Sequence, residues 1–186
     1  MAKPFNRFTD EHHIYQGVHF KKQSLTSPRY HVVHIASIDL NDPDVDLMVT
    51  PHNGLGRTTS NFLDTNNLQM AINGDEWLSW TNPKGLAVSQ GIVYSQTSNE
   101  PTIYISADNQ VQIGGDPPMV VWDAISGSHT LVQNGQVSRK INSCSSPVYC
   151  SYRAPRTSVG ITADNKLILI VVQGPKDDLR NALTLK

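Results

Sequence analysis

Three polar segments of the chain each interrupt the end of an apolar run with side chains that chemistry can use. In Met70-Ala71-Ile72-Asn73-Gly74-Asp75-Glu76-Trp77, an extended backbone puts Asn73 and Asp75 on one face, and Gly74 between them allows close backbone approach. A strand-ending Asx turn is the plain alternative. Ala124-Ile125-Ser126-Gly127-Ser128 is a second such segment, or simply another turn. In Ala154-Pro155-Arg156-Thr157-Ser158-Val159-Gly160, an Arg directly precedes a strand and can present its planar fork to a phosphate or carboxylate, or else pack over the strand. Among the seven histidines, His31-Val32-Val33-His34 has the look of a metal pair, but residues three apart on a strand point to opposite faces and cannot converge on one ion. They are read as separate surface or satisfied histidines. No G-x-S-x-G, P-loop, H-E-x-x-H or G-x-G-x-x-G occurs, which removes those hydrolase, nucleotide and zinc-protease motifs. No cofactor and no metal is expected.

Cys144 and Cys150 stand in the polar loop SCSSPVYCSY. A disulfide closing so small a loop is worth ~2 kcal/mol on the chain-entropy model. Two free thiols are the alternative, and no second cysteine cluster supports zinc. An oxidised pair beside the site is expected, since Arg156 follows it so closely.

The elements that must position these residues are mostly strands. Val45, Leu47 and Val49 alternate with Asp44, Asp46 and Met48, and strands fit Tyr15 to Lys21, His31 to Leu40, Gln69 to Asn73, Gly85 to Tyr94 and Leu167 to Val172. Ala107-Asp108-Asn109, Ala163-Asp164-Asn165 and Asn134-Gly135 each lie between apolar runs and predict hairpins, because Asp and Asn tolerate left-handed backbone. Thr58-Thr59-Ser60 before Asn61-Phe62-Leu63 predicts a capped short helix. Pro175 and Asp177-Asp178 open another, whose face of Leu179, Ala182 and Leu183 stops short at Lys186.

These elements suit 186 residues of one globular domain, with 38% hydrophobic and 17% charged residues arguing against disorder and coiled coil. A net charge of −1 without a dense Lys/Arg run gives no footprint for nucleic acid or an anionic membrane. Leu167 to Val172 is too short to span a bilayer, and MAKPFNRFTDEHH lacks the apolar core of a signal peptide, so export would require a leader that is not in this sequence.

In order along the chain, Gly17-Val18-His19, Arg57-Thr58-Thr59-Ser60, Ala71-Ile72-Asn73-Gly74-Asp75, Gly85-Leu86-Ala87-Val88-Ser89-Gln90-Gly91, Ala124-Ile125-Ser126-Gly127, Asn134-Gly135 and Pro155-Arg156-Thr157-Ser158-Val159-Gly160 resemble the phosphodiester glycosidase family, that of N-acetylglucosamine-1-phosphodiester α-N-acetylglucosaminidase. The resemblance runs from about Gly17 to Gly174. It implies an α/β (α+β) fold, a mixed twisted β-sheet with few helices, over residues 14–186 as a single domain behind an N-terminal arm of residues 1–13. The relatives continue after the strand matched by Leu167 to Gly174 through a helix to a strand closing in Asn-Leu-Asp-Gly-Gly-Gly-Ser, so the chain is expected to be C-terminally incomplete, with a complementing segment or a homo-oligomer covering the edge. Glu76-Trp77 is a further departure, where relatives usually carry aromatics in both places.

The resemblance also implies hydrolysis of a sugar-1-phosphodiester at the anomeric carbon, releasing free sugar and a phosphomonoester. The leaving group is a weak base, so the site needs a cation for the phosphate and a carboxylate for water or the oxocarbenium-like transition state more than a strong acid. Arg156 is the expected phosphate clamp and Asp75 the carboxylate, with Asn73, Ser126 and Thr157 as positioning donors and Gly74 and Gly127 shaping the substrate pocket. Asn73, Asp75, Ser126 and Arg156 are expected to converge. Glycosidases normally use two carboxyl groups; in the relatives the Asp of the glycine-rich terminal motif is the natural second one, and should this chain turn over unaided, Glu76 is the first candidate for that role. The rival readings are a non-catalytic glycan- or phosphate-binding module derived from the family and a structural piece of a larger assembly. The expected partner is a small-molecule or glycan sugar phosphate, and the expected setting is secreted or periplasmic.

Overall fold

The computed structural model describes residues 7–26, 30–79, 82–96, 99–138, 155–173 and 184–185. In chain order its strands are β1 (Arg7–Tyr15), β2 (Val18–Leu25), β3 (His31–Asp39), β4 (Met70–Ala71), β5 (Trp77–Ser79), β6 (Asn82–Pro83), β7 (Ala87–Ser89), β8 (Ile92–Ser95), β9 (Thr102–Ile105), β10 (Val111–Ile113), β11 (Asp123–Ser126), β12 (Val132–Gln133), β13 (Gln136–Val137), β14 (Arg156–Ile161), β15 (Lys166–Gln173) and β16 (Thr184–Leu185). One α-helix, α1 (Thr59–Thr65), and a single 3-10 turn at His52–Gly54 complete the described elements. Strands therefore dominate with few helices, as the sequence predicts. Pairing among the described strands is antiparallel throughout.

The chain divides into two compact units, one of Met1–Leu47, Arg57–Asn73 and Ala154–Lys186, the other of Met48–Gly56 and Gly74–Arg153. The first unit is built on a five-stranded sheet in the order β1-β2-β3-β15-β14. Leu-Ile-Leu-Ile-Val-Val in β15 is the kind of β-branched run that suits a central strand. The register Ala36↔Leu169 and His34↔Val171 sets Phe20, Ala36, Leu169 and Val171 on one face, all buried. Arg7–Tyr15 forms β1, paired with β2 along its length. The strand expected over Tyr15 to Lys21 is broken by a turn, because Gly17 sits at φ +69° and sends the chain back. A Cβ there would lie 2.9 Å from the Val45 side chain, so the turn demands glycine. In α1 the Thr58 side chain accepts from the Asn61 N–H, the expected cap. The helix expected after Pro175 falls on residues outside the described ones, while Thr184–Leu185 pairs with Met70–Ala71.

The second unit holds a sheet in the order β10-β9-β11-β7-β8, with small ladders β5-β6 and β12-β13. Its core gathers Val88, Tyr104 and Ala124, with Leu86 and Val121 packed on them. The strand expected over Gly85 to Tyr94 is a hairpin, because Gln90 takes φ 51° and Gly91 φ 77°. Its turn is locked by the buried Asp123 carboxylate, which accepts from the Gln90 N–H at 2.8 Å. The alternation at Val45 to Val49 survives in burial, but that stretch belongs to no strand. All three predicted Asn hairpins form, with Asn109, Asn134 and Asn165 at φ 60°, 51° and 58°.

Candidate active site

In the second unit, Asp75 lies between Gly74 and the start of β5, and its Oδ1 accepts the backbone N–H of Ser126, the last residue of β11, at 2.7 Å. Burial pushes the Asp75 carboxyl up to about 7, against the Ser126 N–H and its own backbone N–H, which favour the charged form. A carboxyl so placed exchanges protons near neutral pH, as a general acid or base must. Tyr94 on β8 donates its hydroxyl to the Thr50 carbonyl at 3.1 Å. Burial first, then the charges of Asp75 and Asp123, push that phenol up to about 12. Tyr94 therefore stays a protonated donor beside the carboxylates.

The Ser126 side chain does a different job from its backbone. The residue is 3% exposed, and its hydroxyl donates to the Leu86 carbonyl at 2.9 Å and lies 3.2 Å from Thr102 Oγ1. The Gly127 N–H donates to the Pro101 carbonyl at 2.7 Å. Gly74 has room for a Cβ, at an ordinary 3.6 Å from Ile125, so steric closeness is not what selects glycine there. Glu76 is held by charge: Lys84 Nζ lies 3.2 Å from its Oε2 and 2.9 Å from Glu100 Oε1, and Ser128 donates to Glu76 at 3.3 Å.

In the first unit, Thr157 on β14 donates to Asn73 Oδ1 at 2.6 Å, which turns the Asn73 amide so that its NH2 points away from that bond. Thr157 pairs in register with the buried Val171 and Arg156 with Val172, so the two side chains leave opposite faces of the sheet. One Arg156 nitrogen, Nη1, donates to the Pro155 carbonyl at 3.1 Å. The structure thus brings together Asp75 with Ser126 and Asn73 with Thr157, whereas Arg156 does not share the face of Thr157. His34 Nε2 meets Gln173 Oε1 at 3.1 Å, and burial holds its imidazole below the ordinary value. The Cys144–Cys150 pair lies outside the described residues.

Tyr94, Lys84 and Glu100 were not singled out by sequence reasoning. A signal for Lys84 was present, since Glu76 and Lys84 flank Trp77–Pro83 at the positions a hairpin brings opposite, and the Lys84 N–H donates to the Glu76 carbonyl at 2.7 Å. Searches of curated proteins and of solved structures return no match. The profile of a family described as phosphodiester glycosidase matches residues 66–186, about two thirds of the chain and every site residue named above except the histidines and Thr50. That family acts as glycosidases on phosphodiesters, which implies a sugar-type substrate. By this match, and by the motifs that run through the same residues, the chain belongs to the phosphodiester glycosidase family.

Proposed function

We propose that this protein hydrolyses a sugar-1-phosphodiester of the N-acetylglucosamine-1-phosphodiester kind at the anomeric carbon, with Asp75 as its acid–base carboxyl. The observation that carries the reading is the half-buried Asp75 carboxyl, raised to about 7 and aimed by the Ser126 N–H, within a chain of this family. As the carboxylate, Asp75 takes a proton from water while the water oxygen bonds to the anomeric carbon. The bond from that carbon to the phosphate oxygen breaks, and its electron pair leaves with the phosphomonoester. Phosphate is good enough as a leaving group that one well-placed carboxyl can govern the step. Asn73, oriented by Thr157, serves as a hydrogen-bond donor to the substrate, and Arg156 as its phosphate-binding cation. Ser126 positions Asp75 through its backbone, with Gly127 and Gly74 completing the two segments around it.

One observation favours a second reading, that of a sugar-phosphate-binding module without turnover. Glu76, the nearest second carboxylate in sequence, is tied up by Lys84 and Ser128. Incubation with UDP-N-acetylglucosamine and related sugar phosphodiesters separates the two. Release of free sugar that is lost in Asp75→Asn supports hydrolysis; saturable binding with no free sugar supports the module.

A further inference from the structure

Lys84 is the cation that joins three segments of the second unit. It follows β6, its ammonium contacts Glu76 at 3.2 Å and Glu100 at 2.9 Å, and both carboxylates are partly enclosed. Glu76 is the residue after Asp75, and Glu100 leads into β9, whose Thr102 donates back to the Glu100 carbonyl at 3.1 Å. In β11, Ser126 pairs with Thr102 and gives its N–H to Asp75, while Ser128, two residues on, gives its hydroxyl to Glu76. Adjacent carboxylates are thus gripped by residues two apart on one strand end. With Lys84 removed, Glu76 and Glu100 would lose the ammonium that bridges them, and the segment carrying Asp75 would lose this tie to the start of β9.

We infer that Lys84, through Glu76 and Glu100, is a positioning residue that fixes the Asp75 carboxyl on the Ser126 N–H. The inference rests on the reading of Asp75 as the acid–base group, yet its test does not need turnover. Among the described residues, the charged and titratable groups on the segments that meet here include Glu76, Lys84 and Glu100, joined by their ion pairs, Tyr94 on β8, and Asp123 at the start of β11.

The Ser126 amide reports the contact directly, because its acceptor is the Asp75 side chain. In isotopically labelled protein, hydrogen exchange of that amide and the Asp75 carboxyl titration are followed by NMR in wild type, Lys84→Met and Lys84→Arg. Exchange at Ser126 should quicken on the order of tenfold in Lys84→Met, the scale of one lost hydrogen bond, while the core amides of Val88 and Ala124 keep their protection. The Asp75 titration midpoint should move with it, and Lys84→Arg should restore both. Unchanged Ser126 exchange and an unchanged Asp75 midpoint in folded Lys84→Met would overturn the inference. Should that variant fail to fold, Glu76→Gln, which keeps the side-chain shape without the ion pair, is expected to quicken the same amide; no change there overturns it equally. A chain that turns over no sugar phosphodiester but shows these shifts would leave the positioning intact and defeat only the hydrolase reading.

Discussion

Asp75 matters through its protonation state, and the same burial that makes it useful makes it costly. If the carboxylate takes the proton of water, kcat/KM should climb with pH through about 7, the position to which burial moves this group. Asp75→Asn, which can still accept from Ser126, should lower kcat by ~10²–10⁴-fold, the usual share of one general base. A flat pH profile between the ordinary carboxylate range and 8 would remove the role. The side chain of Arg156 leaves the sheet on the face opposite Thr157. If it clamps phosphate nonetheless, Arg156→Ala should cost ~2–4 kcal/mol in kcat/KM, read from steady-state kinetics, and unaltered turnover would dismiss it. Asn73, Asp75, Ser126 and Thr157 were legible as polar residues at strand ends. That Ser126 would act by its backbone and bury its hydroxyl was not, because residue type says nothing about which atom of a serine a neighbouring strand consumes.

Elements were legible where the turn chemistry was local. Asn109, Asn134 and Asn165 announce their hairpins because an Asn side chain satisfies the turn it sits in. Gln90 does not announce itself, since its left-handed backbone is held by Asp123, a residue 33 positions away. The Gly17 turn was missed for a related reason: what excludes a side chain there is Val45, brought close only by the fold. Gly17→Ala should therefore destabilise the first unit by ~1–3 kcal/mol, from the strain of positive φ together with the clash. Thr58→Ala, which deletes only the helix cap, should cost ~1 kcal/mol. Denaturant midpoints check both, and a Gly17 variant milder than the Thr58 one would contradict the account of that turn.

At the scale of the whole molecule, the two units should respond to pH in opposite directions. His34, in the first unit, has its imidazole held below the ordinary 6.5 by burial, so the unfolded chain binds the proton more readily. Its contribution is present above 6.5 and is lost as pH falls below that value. Asp75, in the second unit, is raised from 3.8 to about 7, so the folded state binds the proton more readily. Its contribution is full below 3.8 and is lost as pH rises through about 7. Hydrogen exchange reads the units separately, through amides of β15 for the first and of β9 and β11 for the second, over roughly pH 5 to 9. Protection in β15 should weaken toward acid, and that in β9 and β11 toward alkali. His34→Gln should flatten the first trend alone. Asp75→Asn should flatten the second, adding ~1–3 kcal/mol above pH 7 once the full shift is discounted for the water that still reaches the carboxyl. Both units weakening in the same direction would mean that some other group governs the pH response. It would also remove the main physical reason for regarding the Asp75 environment as built for proton transfer, since a carboxyl whose ionisation costs the fold nothing is not one that burial has tuned.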